Sequence, residues 1–234
     1  MSLLFELQTP SIAIVGREER FPVNRIYCVG RNYAAHAREM GANPEREAPF
    51  FFSKPANSIA ENNALLPFPS RTHDLHHEIE LVVALAGGAL AQRGNDLTLA
   101  EAQAAVYGYA VGIDFTRRDL QAAAKDKGRP WDTAKGFDHS APLTAITPAA
   151  QAGNIETATI RLRVNGELRQ QGNISDLIWN IAELIAELST YYCLKPGDVI
   201  FTGTPAGVAA VEPGDVLEGE IDQLEVLRLT LGPR

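Results

Sequence analysis

The chain has 234 residues, 45% of them hydrophobic and 21% charged. This is ordinary globular usage and excludes a disordered chain, a coiled coil or a fibrous repeat. Lysine and arginine number 21 against 29 aspartates and glutamates, a net charge of −8 with no long basic run, so a phosphate-tracking nucleic-acid surface is excluded.

In chain order, residues 1–22 read as a short N-terminal β arm: SIAIVG is apolar and β-branched, and Phe21-Pro22 is expected to end it. The body then runs over 23–234. NRIYCVG (24–30) predicts a strand ended by Gly30, and Asn32 is expected to cap a helix over 33–40 that Gly41 stops. PFFFSKPANSI is an aromatic strand broken at Lys54-Pro55, with Phe50–Phe52 read as core and an interface as the alternative. HEIELVVALA (77–86) alternates, with Glu78, Glu80, Val82 and Ala84 on one face and Ile79, Leu81, Val83 and Leu85 on the other. The longest run without charge or strong polarity, 81–91, falls well short of the about 20 residues that cross a bilayer, and MSLLFELQTP lacks the pattern of a signal peptide.

LTLAEAQAAVYG predicts a helix running into a strand over 107–114, and Thr116 with Asp119 resembles a capping box for a helix closed by Gly128. TIRLRVNGELRQ alternates around Asn165-Gly166, a strong hairpin signal. Residues 177–192 carry a helical apolar stripe that Ser175 or Asp176 could cap, and Pro196-Gly197 and Pro213-Gly214 suit type II turns. The sum is a mixed α+β chain of many short strands and a few helices. Cys28 and Cys193 form neither a metal-type spacing nor a disulfide framework, which fits a reducing, cytoplasmic setting.

The sharpest chemical signal is Glu78-x-Glu80. Two carboxylates two residues apart on one strand face repel, and burying them together is costly unless a cation neutralises them. Asp114 ends a second strand among small and apolar residues. Three carboxylates offer only oxygen, so the ion they suit is hard, Mg²⁺ or Mn²⁺, with Ca²⁺ as the alternative. The competing reading is a solvated strand face. His73, His76 and His77 raise a zinc alternative, but none has the helical spacing of a zinc protease, and a loop or supporting role suits them better. His36 and Glu39 stand three apart, where a carboxylate could orient an imidazole as a general base; a solvated pair is the plainer reading. Lys135, beside Trp131, could stabilise an enolate or be an exposed lysine, and Arg118 and Gln121 could meet an anionic substrate or lie on a helix surface. The Gly203–Gly207 turn could present backbone N–H groups to an anion.

In order, the segments VGRNYAAHAREMG, FFFSKPANSI, LHHEIELVVALA, GYAVGIDFTRRDLQ, GRPWDTAKGFD, VNGELRQQGN and GDVIFTGTPAGV resemble the fumarylacetoacetate hydrolase family over about residues 24–232, its small acylpyruvate- and fumarylpyruvate-hydrolysing members above all. The resemblance implies a β-roll-like mixed fold, usually dimeric, that binds one Mg²⁺ or Mn²⁺ through Glu78, Glu80 and Asp114. It implies that His36 and Glu39 form a water-activating dyad and that Lys135 acts with them. It makes Arg118, Gln121 and Thr204 substrate contacts. The implied substrate is a small anionic keto acid, a 3-acylpyruvate split to pyruvate and a carboxylic acid. Oxaloacetate decarboxylation, keto–enol isomerisation and a non-catalytic metal-stabilised binding role are the alternatives.

Overall fold

The computed structural model describes residues 4–34 and 47–234. The helix expected over 33–40 lies largely outside them, as do His36 and Glu39. Two mixed sheets carry the fold. Their strands, in chain order, are β1 (Arg25–Gly30), β2 (Phe50–Lys54), β3 (Ala64–Leu66), β4 (Ile79–Leu85), β5 (Val106–Ile113), β6 (Thr147–Pro148), β7 (Thr159–Val164), β8 (Glu167–Asn173), β9 (Asp198–Phe201), β10 (Val216–Ile221) and β11 (Leu227–Leu231). The first sheet has the order β6-β5-β4-β9-β1-β2 and the second β8-β7-β10-β11-β3. β9 runs parallel to β1 and antiparallel to β4, and β11 runs parallel to β3. Among the described residues the longer helical elements include α1 (Leu99–Ala105), α2 (Arg118–Asp126), α3 (Asp132–Lys135) and α4 (Ile181–Tyr191).

The core explains the patterning. Every residue of β4 is buried. Ile79, Leu81, Val83 and Leu85 join Ile160, Leu162, Leu217 and Ile221 of the second sheet in one apolar cluster. Val82 and Ala84 face a second cluster with Ile26, Cys28, Val199 and Phe201. Ile12, Ile14 and Phe21 of the N-terminal arm belong to that second cluster, so the arm seals the outer face of the first sheet. Phe21-Pro22 does not merely end the arm: Arg20–Pro22 pairs antiparallel with Ser11–Ala13.

Several local expectations shift. α4 starts at Ile181 with a capping box between Asn180 and Glu183, not at Ser175 or Asp176. Leu177 and Ile178 precede the helix: Leu177 packs half-buried against the main apolar cluster and bridges to Tyr33, and Ile178 N–H donates to the Asn32 carbonyl. Thr116 and Asp119 make no capping box, since α2 begins after Arg117 without a side-chain cap. Asp119 accepts from Thr72 and His73 instead. Asn32 spends its side chain on Trp179 and Thr202. The hairpin stands as read, with φ of 52° at Asn165 and 81° at Gly166, the positive pair of a type I′ turn. Gly197 and Gly214 also take positive φ, as type II turns require. Among the described residues no helix is long and apolar enough to cross a membrane.

Candidate active site

The β4–β5 pair aims the carboxylates. Ile79 pairs with Ile113 and Glu80 with Gly112. One step beyond, Asp114 N–H donates to the Glu78 carbonyl at 2.8 Å. Glu78, Glu80 and Asp114 therefore emerge at the same end of one strand pair, and a ligand oxygen from each lies within 4.8 Å of the others. All three are buried, Glu78 at 6% exposure, Glu80 at 2% and Asp114 at 0%. The solvated strand face is overturned.

Cations surround two of the three. Lys135 Nζ donates to Glu78 Oε2 at 2.9 Å and to Asp114 Oδ2 at 2.6 Å. Arg118 donates to Glu78 Oε1 at 2.5 Å and to Gln121 Oε1 at 2.6 Å, and Thr116 Oγ1 donates to Glu78 Oε1 at 3.2 Å. Lys135 is buried rather than exposed. Burial alone would lower its proton affinity, but the charges of Asp114 and Glu78 outweigh it and hold the ammonium well above the usual lysine range.

Glu80 differs. Gly203 N–H donates to its Oε2 at 2.7 Å. Burial first, then the like charges of Asp114 and Glu78, push its carboxyl well above the carboxylate range. Such a triad fits a hard divalent cation, which would remove the repulsion. The Gly203 turn thus presents an N–H to an anion, as expected, but the anion is the protein's own. Gly203 takes φ of 104°, and a Cβ there would lie 2.8 Å from Asn32 Cβ, so glycine is needed on both counts.

Thr204, Arg118 and Gln121 line one recess with Glu78, Glu80 and Lys135. Thr204 Oγ1 is held by Gln170 Nε2 at 2.8 Å, and Gln170 Oε1 contacts His77 Nδ1 at 2.8 Å. Burial pushes His77 down in proton affinity, which suits this neutral contact. His76 contacts Asp74 at 2.8 Å. His77, through Gln170, and His76, which accepts from Arg118, thus support the site, and all three histidines stand outside the ligand cluster.

Lys54 was not anticipated in the sequence. Its ammonium, fully buried, lies 2.8 Å from Asp114 Oδ1 and donates to the Phe115 carbonyl at 3.1 Å and to the Lys135 carbonyl. The alternation of β2 was the available signal, since it puts Lys54 on the face of Phe50 and Phe52. Phe50 is not core, at 37% exposure, whereas Phe51 and Phe52 are half-buried against the two apolar clusters; Phe50 and Phe52 also wall the recess beside Trp131.

The fumarylacetoacetate (FAA) hydrolase C-terminal family model matches residues 25–231. The chain belongs to this family. It is 44% identical to a fumarylpyruvate hydrolase of a Ralstonia species over 80% of this chain and 94% of that one. It is 43% identical to an oxaloacetate tautomerase of Escherichia coli K12, over 86% of this chain and 90% of the relative. Its structure resembles a crystal structure of fumarylpyruvate hydrolase from Pseudomonas aeruginosa in complex with Mn²⁺ and pyruvate, with a TM-score of 0.94 and 48% identity over the whole of both chains. These relatives are enzymes, and they span more than one activity of the fold.

Proposed function

We propose that the protein hydrolyses the C–C bond of a 3-acylpyruvate, with fumarylpyruvate as the foremost substrate, giving pyruvate and a carboxylic acid. The observation that carries this reading is the buried triad of Glu78, Glu80 and Asp114, whose two glutamates line one recess with Lys135, Arg118 and Gln121. Similarity to two fumarylpyruvate hydrolases supports it. Glu78, Glu80 and Asp114 would hold one Mg²⁺ or Mn²⁺. When bound, that ion supplies electrophilic polarisation of the pyruvyl oxygens.

Arg118, with Gln121, offers cationic and amide donors to the substrate carboxylate, and Thr204 offers a hydroxyl beside them. His36, oriented by Glu39, takes a proton from water. The hydroxide adds to the distal acyl carbon. The C–C bond breaks, its electron pair passes to the methylene carbon, and the acyl part leaves as a carboxylic acid. Lys135, a buried ammonium, stabilises the enolate charge that develops. The proton held on His36 returns to that carbon and completes pyruvate. The working unit in this reading is a homodimer.

Oxaloacetate tautomerisation or decarboxylation is the second reading, favoured by the Escherichia coli relative. These reactions place no demand on water activation. The test is chelator-treated protein, with Mg²⁺ restored, given acetylpyruvate, fumarylpyruvate and oxaloacetate. Metal-dependent pyruvate release from the acylpyruvates is expected. His36→Ala is expected to lower that rate by about 100-fold or more while Mn²⁺ binding persists. Pyruvate from oxaloacetate alone, or an unchanged hydrolysis rate in His36→Ala, would overturn the reading.

A further inference from the structure

The recess carries more positive charge than its carboxylates use. Arg118, Lys135 and Lys54 are engaged with Glu78 and Asp114. Arg31 and Lys125 line the same recess. Among the described residues, no carboxylate lies within ion-pair distance of either.

Aromatic rings hold both cations instead. The Arg31 guanidinium lies 5.8 Å from the Phe50 ring centre, and Lys125 Nζ lies 5.0 Å from that of Trp131. Phe50 and Trp131 meet edge to face at 5.4 Å. One aromatic pair thus supports a cation on each of its rings. Lys125 follows Arg118 and Gln121 along one face of α2, at spacings of three and then four residues. Arg31 stands at φ 60°, a left-handed backbone that costs a side-chain-bearing residue about 1 kcal/mol or more. Partial desolvation and the charges of Arg118 and Arg31 depress the proton affinity of Lys125, which stands at the exposed rim, so an anion between these groups would relieve their mutual repulsion.

Resting on the acylpyruvate reading above, we infer that Arg31 and Lys125 form a second anion subsite for a carboxylate at the far end of the acyl group. The preferred substrates are then dicarboxylic acylpyruvates. A flat, unsaturated acyl chain would suit the walls of Phe50, Phe52 and Trp131 between the two anion sites.

A matched pair tests this: fumarylpyruvate and crotonylpyruvate, in which a methyl group replaces the terminal carboxylate. The wild type is expected to favour the dicarboxylate by about tenfold in kcat/KM. Lys125→Met, or Arg31→Asn (which keeps a side chain tolerant of the left-handed backbone), should erase most of that ratio through KM. Lys125→Arg should retain it. A ratio unchanged in Lys125→Met and Arg31→Asn, or an equal loss on both substrates, would overturn the subsite. Calorimetry of Mg²⁺-loaded protein with fumarate and crotonate separates the two ideas. If neither acylpyruvate is cleaved but fumarate binds about tenfold tighter, and Lys125→Met removes the difference, the reaction is wrong and the subsite stands. If acylpyruvates are cleaved but fumarate and crotonate bind alike in all proteins, the subsite is wrong and the reaction stands.

Discussion

Two carboxylates flank β9, and both are buried. Asp198 opens the strand at 0% exposure, and Glu80 reaches the Gly203 turn just past its end at 2%. Asp198 is surrounded by donors: Asn24 Nδ2 at 2.7 Å, Arg25 Nε at 3.0 Å and Nη2 at 2.6 Å, and Lys195 N–H at 2.9 Å. Both of its oxygens are satisfied, so its charge ties β1 to β9 and needs nothing more. Glu80 has one backbone N–H and two like charges beside it. The difference separates a carboxylate that serves the fold from one arranged for a cation, although burial is the same for each.

The largest effect on stability should come from the satisfied end. Asp198→Ala leaves the Arg25 donors and the Lys195 N–H without their acceptor and should cost about 2–3 kcal/mol in denaturant unfolding, with or without divalent metal. Glu80→Gln should do the reverse in chelator-treated protein, stabilising it by about 1 kcal/mol because the cost of burying that carboxyl beside like charges, or of protonating it, is gone. The same change should weaken Mn²⁺ binding by about 100-fold or more, read from the paramagnetic signal of the free ion. If Glu80→Gln instead unfolds the metal-free protein as Asp198→Ala does, the contrast between the two ends collapses. The smallest effect is a control remote from both: Gly166→Ala, at φ 81°, should cost about 1 kcal/mol with turnover intact.

Much of this was legible because burial and alternation agree. The period of two in β4 separated the two core clusters and put Glu78 and Glu80 in register, and β5 delivered Asp114 one step past its end. Asn165-Gly166 reported its turn because only local φ values decide it. What stayed hidden depends on distant partners. Lys54 looks like a strand-ending surface lysine until Asp114 and Phe115 arrive from far along the chain. Thr116 resembles a helix cap, but its hydroxyl finds Glu78 instead. The α4 stripe reads longer than the helix because Leu177, which precedes it, also packs against the main apolar cluster. Lys125 went unnoticed although its spacing from Arg118 and Gln121 announces a shared helix face.

The strand order has a consequence for biosynthesis. β9 sits between β1 and β4, yet it is made only at residues 198–201. Until then the nascent chain holds a sheet split down its middle, with one edge of β1 and one edge of β4 open. Synthesis proceeds at about 5–20 residues per second, so those apolar edges wait for several seconds before their partner leaves the ribosome. Closure must then bring together segments well over a hundred residues apart, a slow kind of pairing. The carboxylate cluster gains its Gly203 donor in the same event, so the site matures with the last stretch of chain and not before.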